Sequence, residues 1–98
     1  MAHLKLHLYD SQLKIDKLHR LCGISDTYFR KIFVAQFRMS PQEYVLTKRI
    51  AYAKSIIENG DYNTIREVSE AVGYTDPLYF SKAFKKMQGV SPSKINQE

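Results

Sequence analysis

A single cysteine, Cys22, is all that the chain offers for thiol chemistry. One cysteine excludes an internal disulfide and suits a reducing cytoplasm. Its apolar neighbours make a buried structural thiol the expected role, rather than a reactive one. Long apolar runs are also missing: nothing approaches the roughly 20 residues that span a bilayer, and the N-terminus shows no secretory pattern. The expectation is a cytoplasmic chain without a membrane partner. Histidines are few, and although His3 and His7 stand at i and i+4, no further His, Cys or acidic cluster completes a metal site. No nucleophile, base and orienting group converge, so neither a cofactor nor an enzymatic activity is expected. Acidic side chains are the minority, 10 against 15 Lys and Arg, which gives a formal charge of +5 and a pI near 9.4. An anionic partner is favoured, but charge alone does not separate nucleic acid from an acidic surface.

What the chain has in abundance is helix punctuation. Its 98 residues, 44% of them hydrophobic, suffice for one compact domain or two very small ones sharing a spine. Residues 1–14 alternate at Leu4, Leu6 and Leu8 like a strand, yet no partner strand is evident, so a short helix is expected there. Ile15, Leu18, Leu21 and Cys22 form a helical stripe that Gly23 ends. Ser25 can cap a helix with Phe29, Ile32, Phe33 and Phe37 on one side. Ser40, Pro41 and Glu43 are a strong start signal, and no breaker follows until Asn59 and Gly60. The segment between reads as one helix of about 18 residues, near 27 Å long. Thr64 and Glu67 open the next helix, with Ile65, Val68, Ala71 and Val72, and Gly73 closes it. Thr75 or Asp76 then caps a helix that begins at Pro77 and aligns Phe80, Ala83, Phe84 and Met87. Gly89 stops it, and Ser91 with Pro92 starts a short last helix. The expected fold is all-α with about seven helices: a helix-turn-helix unit over 1–40, a linker helix over 41–59 and a second unit over 60–98.

The two units are related. IDKLHRLCGIS (15–25) and IREVSEAVGYT (65–75) keep apolar residues and glycine in register, and FRKIFVAQFRMSP (29–41) aligns with FSKAFKKMQGVSP (80–92). Solenoids generally need three or more copies to bury a continuous core, so two copies around a spine argue for a bipartite binder. B-DNA supplies the physical reason for such a plan. Its major groove, about 12 Å wide, accepts one helix, and successive groove faces lie about 34 Å apart. A rigid spine of roughly 27 Å could hold two helices near that spacing.

GYTDPLYFSKAFKKMQGVSP (73–92), with KRIAYAKSII (48–57), resembles the DNA-binding domain of the AraC/XylS family of bacterial transcription regulators, over about residues 13–97. The resemblance implies a sequence-specific binder of double-stranded DNA. It places Thr27, Arg30 and Lys31 of the first unit, and Pro77, Leu78, Ser81 and Lys82 of the second, toward base edges. Among these Arg30 has the best chemistry for direct readout, because a guanidinium can donate two hydrogen bonds to guanine O6 and N7. Leu78 and Pro77 offer apolar contact only. Ser25, Arg49, Thr75, Lys85 and Lys86 suit phosphate, which orients a protein without reading sequence. The first unit departs from the family pattern at His19, where alanine is usual, and at Arg38, where a glycine stops the helix. Val34 and Ala35 stand in the places of Lys85 and Lys86, so the first unit has fewer phosphate contacts.

Blander roles compete with these. The lysines can be a solvated face, the phenylalanines at 29, 33, 37, 80 and 84 read as core, and packing is the expected role of Tyr74 and Tyr79. The acidic residues at 58, 61, 67 and 70 would repel DNA and are expected to turn away from it. A protein-interaction module that contacts RNA polymerase or another regulator is the alternative function. The resemblance also leaves open a ligand-sensing or dimerisation domain as a partner.

Overall fold

Helix caps, rather than long apolar stripes, set where the chain turns. The computed structural model describes residues 7–94, the Asp16 side chain apart, and every regular element among them is helical. A 3-10 turn at Ile15–Lys17 leads into α1 (Leu18–Leu21), followed by α2 (Asp26–Phe37), α3 (Pro41–Asn59), α4 (Ile65–Ala71) and α5 (Pro77–Gln88), with a 3-10 turn at Pro92–Lys94. Where about seven helices were expected, the described residues hold five α-helices and two 3-10 turns. The helix expected over 1–14 lies partly outside the described residues. From Leu8 to Lys14 the chain runs in turns, tied by Asp10 N–H donating to His7 O and Leu13 N–H donating to Asp10 O.

Four side chains cap the four longer helices. Ser25 Oγ accepts from Tyr28 N at 3.2 Å, Ser40 Oγ from Glu43 N at 3.1 Å, Thr64 Oγ1 from Glu67 N at 3.2 Å and Asp76 Oδ1 from Leu78 N at 3.0 Å. Each bond satisfies an orphan helical N–H, worth about 1 kcal/mol. Asp76, not Thr75, is therefore the cap of α5, which leaves the Thr75 side chain free of that duty. Helix α2 ends on Arg38 in the left-handed region at φ +62°, the place where α5 uses Gly89 at φ +82°. A side chain there costs roughly 1–2 kcal/mol.

The apolar residues collect in two clusters. Leu8, Leu18, Phe29, Phe33 and Val45 form one; Ile50, Ala53, Ile57, Val68, Val72, Phe80 and Phe84 form the other. Helix α3 feeds both, Val45 near its start and Ile50, Ala53 and Ile57 further on. The molecule is correspondingly long, 47 × 22 × 21 Å.

The stripes are narrower than the periodicity indicates. Leu21 is 62% exposed, Ile32 42% and Met87 39%. Cys22, expected to be buried, is exposed. Its register equivalent, Val72, is fully buried beneath the three residues that α3 gives the larger cluster. The smaller cluster takes one buried residue from α3, Val45, with Tyr44 packed half-buried against Phe33 and Phe37, and Cys22 stays outside it. It lines instead an open apolar groove of about 240 Å³ with Ile24, Phe29, Ile32 and Phe37.

Candidate nucleic-acid interface

Burial of two phenylalanines on each of α2 and α5 decides which side chains those helices present to solvent. Phe29 and Phe33 turn α2 inward, so Thr27 and Lys31 are exposed and Arg30 is half-buried. Phe80 and Phe84 do the same for α5, leaving Leu78, Lys82, Lys85 and Lys86 exposed and Pro77 and Ser81 half-buried. Ser25 and Thr75 are exposed just ahead of the two helices. Ser25 Oγ already accepts the capping bond, but its hydroxyl hydrogen can still be donated. The structure thus gathers every residue suggested for DNA contact, Arg49 apart, on α2, α5 or the turns that enter them.

Arg49 is the correction. It is 7% exposed on α3; its Nε donates to Leu8 O at 2.7 Å and its Nη2 to Asp10 O at 2.8 Å. Its Cζ lies 5.0 Å from the centroid of the Tyr74 ring. With Nε and Nη2 on internal carbonyls and its face over a ring, this guanidinium is buried rather than presented at the surface as a phosphate clamp would be. The positive charge of KRIAYAKSII that remains outward is Lys48, exposed, with Lys54 half-buried.

Arg30 is held at the surface by its neighbours. Nε donates to Asp26 Oδ2 and Nη1 to Gln42 Oε1, both at 2.9 Å. Nη2 makes neither bond, so both of its hydrogens, with the second one on Nη1, are left for an outside acceptor. Asp26 thereby braces a side chain on its own helix, and Gln42 ties α2 to the first turn of α3. His19 joins the cluster: its Nδ1 is 3.5 Å from Asp26 Oδ1, so the imidazole faces the carboxylate at the start of α2.

Two tyrosines share one register position. Tyr28 and Tyr79 precede Phe29 and Phe80 in the aligned copies, and both are 55% exposed. Tyr28 was not evident as a candidate from its own surroundings; only the alignment with Tyr79 marks it. Tyr79 packs against Tyr74 at 5.7 Å between centroids and still keeps half its surface open. A phenol hydroxyl at that position can donate to a phosphate. Of the acidic residues, Asp61 and Glu67 line a different groove, between α3 and α4, together with Tyr52, Ile56 and Tyr62. No lysine of α5 borders it.

The fold and these exposed helices define a helix-turn-helix protein. Residues 18–98 match the helix-turn-helix domain family, and the chain belongs to it, as a domain of the AraC type. It is 38% identical over 90 residues to the Msm operon regulatory protein of Streptococcus mutans, covering 92% of this chain and 32% of that protein. Among solved structures it is similar to the C-terminal domain of the two-component response regulator YesN from Fusobacterium nucleatum, with 27% identity, a TM-score of 0.87 and coverage of 98% and 92%. It is similar as well to the DNA-binding domain of the global transcriptional factor AdpA in complex with a target DNA, with 25% identity, a TM-score of 0.83 and coverage of 94% and 81%. The chain spans about a third of the length of the Msm and MmsAB operon regulatory proteins it matches. No helix among the described residues is long and apolar enough to cross a membrane.

Proposed function

We propose that the chain is a sequence-specific, double-stranded DNA-binding region of a transcription regulator. In this reading α2 and α5 are the recognition helices of two helix-turn-helix units, α3 links them, and the two helices enter successive major-groove segments of one duplex. The observation that carries it is the matched pair α2 and α5: each buries two phenylalanines and leaves polar and basic residues exposed, within a molecule 47 Å long. That length is sufficient for the 34 Å or so between successive groove faces. The likeness to a solved domain bound to its target DNA supports the same reading.

Thr27, Arg30, Lys31, Pro77, Leu78, Ser81 and Lys82 are assigned to base edges. Ser25, Thr75, Lys85 and Lys86, with Tyr28 and Tyr79, are assigned to phosphates. The setting is a bacterial cytoplasm and the role is non-catalytic. RNA polymerase and a ligand-sensing or dimerising domain are proposed partners of the whole regulator.

Salt tests the phosphate assignment. Each neutralised phosphate contributes about 0.9 to the slope of log affinity against log salt. Fluorescence anisotropy on a labelled duplex is therefore expected to show a slope shallower by about 2 for the Lys85→Ala, Lys86→Ala double variant. An unchanged slope would remove both lysines from the interface. Negligible and salt-insensitive DNA affinity of the unaltered chain, with co-purification of RNA polymerase, would favour the protein-interaction module.

A further inference from the structure

Arg49 occupies the boundary between the two cores, one turn beyond Val45 of the first and next to Ile50 of the second. Its partners come from both sides. Leu8, whose carbonyl it binds, belongs to the first cluster; Tyr74, whose ring it covers, packs against the second. The two sides also touch directly at this point. A Cβ built on Gly73, at φ +105°, would lie 2.8 Å from Tyr9 O and 2.9 Å from Arg49 Cζ. The backbone at Tyr9 is thus laid against the turn that leads into α5, with the guanidinium beside that contact. Tyr9 extends the contact by packing on Tyr52 of α3, with centroids 4.7 Å apart.

Stability alone does not call for a charge here. Burying a guanidinium is costly, and apolar residues of similar volume often do as well or better. Its bonds go to carbonyls, which orient it without neutralising it. The nearby Asp10 carboxylate offsets part of the charge; its pKa is held below the ordinary 3.8 mainly by the Gln12 backbone N–H, then by His7, with Arg49 contributing least. What a planar fork of donors supplies, and an apolar side chain does not, is direction: both carbonyls and the ring must keep their places together.

Resting on the function proposed above, we infer that Arg49 is a positioning residue that fixes the distance and rotation of α5 relative to α2, and so sets the half-element spacing the chain accepts. Each base pair inserted between two half-elements moves the second by about 3.4 Å along the duplex and about 35° around it. A rigid joint rejects such a change, whereas a loosened one follows it.

The probe is a duplex enriched by the unaltered chain from a random pool, remade with two base pairs inserted or removed between its half-elements, and a duplex carrying one half-element alone. The unaltered chain is expected to lose on the order of 100-fold in affinity when the spacing changes, because simultaneous engagement is forbidden. Arg49→Lys, confirmed as folded by circular dichroism, is expected to bind the original spacing more weakly. It should discriminate among spacings by about 10-fold or less and keep its affinity for the single half-element. A simple loss of stability would lower all affinities and leave their ratios intact. Tyr74→Leu removes the ring from Arg49 while leaving both carbonyl bonds, so it serves if Arg49→Lys does not fold, and the same flattening is expected. Variants that keep the original spacing profile overturn the inference alone. An unaltered chain that enriches no paired site overturns the proposed function, and this inference with it.

Discussion

Gly73→Ala is expected to lower folding stability by about 2–6 kcal/mol, combining roughly 1–3 for a side chain at a sparsely populated backbone conformation with roughly 1–3 for overpacking. The added carbon meets Tyr9 O and the Arg49 guanidinium below 3.0 Å, and the nearer obstacle is backbone, which cannot swing aside. Domains of this size have about 5–15 kcal/mol in total, so the variant stands close to unfolding. Gly60 provides the control. It also has positive φ, +75°, but nothing lies within 4 Å of a Cβ built there, so Gly60→Ala should cost only about 1–2 kcal/mol. Urea denaturation of both variants gives the comparison. Equal losses would mean that the contact among Tyr9, Arg49 and Gly73 is not tight.

Val72→Ser should destabilise by about 3–5 kcal/mol, the sum of lost apolar burial and an introduced buried hydroxyl. Cys22→Ser, at the register-equivalent position, should stay within about 0.5 kcal/mol of the unaltered chain. The sequence repeat treats the two positions alike; the structure does not. Val72 is 0% exposed in a cluster that includes Ile50, Ala53 and Ile57, whereas Cys22 is exposed. Thermal denaturation reads both variants directly. Comparable losses at the two sites would place Cys22 in a core.

The contrast shows what kind of information was legible. Helix limits were, because they depend on residues within a turn of each other: Ser25, Ser40 and Thr64 each bond an N–H three residues on. Pro41 and Pro77 stand at helix starts and Gly60 and Gly89 at helix ends for the same local reasons. The resemblance to the AraC/XylS family, and the duplication behind it, were legible too, since they need only register. Arg49 was not. Its bonds reach back 41 and 39 residues, to a segment whose alternation suggested neither turns nor acceptors. A basic residue on a long helix reads as exposed until its distant partners are known.

Arg30 shows the same limit in milder form. Its bond to Asp26 at i−4 follows from helical spacing, but that to Gln42 crosses between helices and was not visible. The result narrows its chemistry, because Nε and one Nη1 hydrogen are already engaged, which leaves the second Nη1 hydrogen and the two on Nη2 for other acceptors. The stripes of α1 and α2 also overstated burial at Leu21, Cys22 and Ile32. Periodicity gives the direction a side chain faces, not whether another element covers it.

Selection from a random duplex pool tests the two-unit DNA reader most directly. The unaltered chain should enrich a site with two distinct half-elements whose centres lie about 10–10.5 base pairs apart, one helical turn. Enrichment of a single half-element, or of no sequence at all, would contradict it.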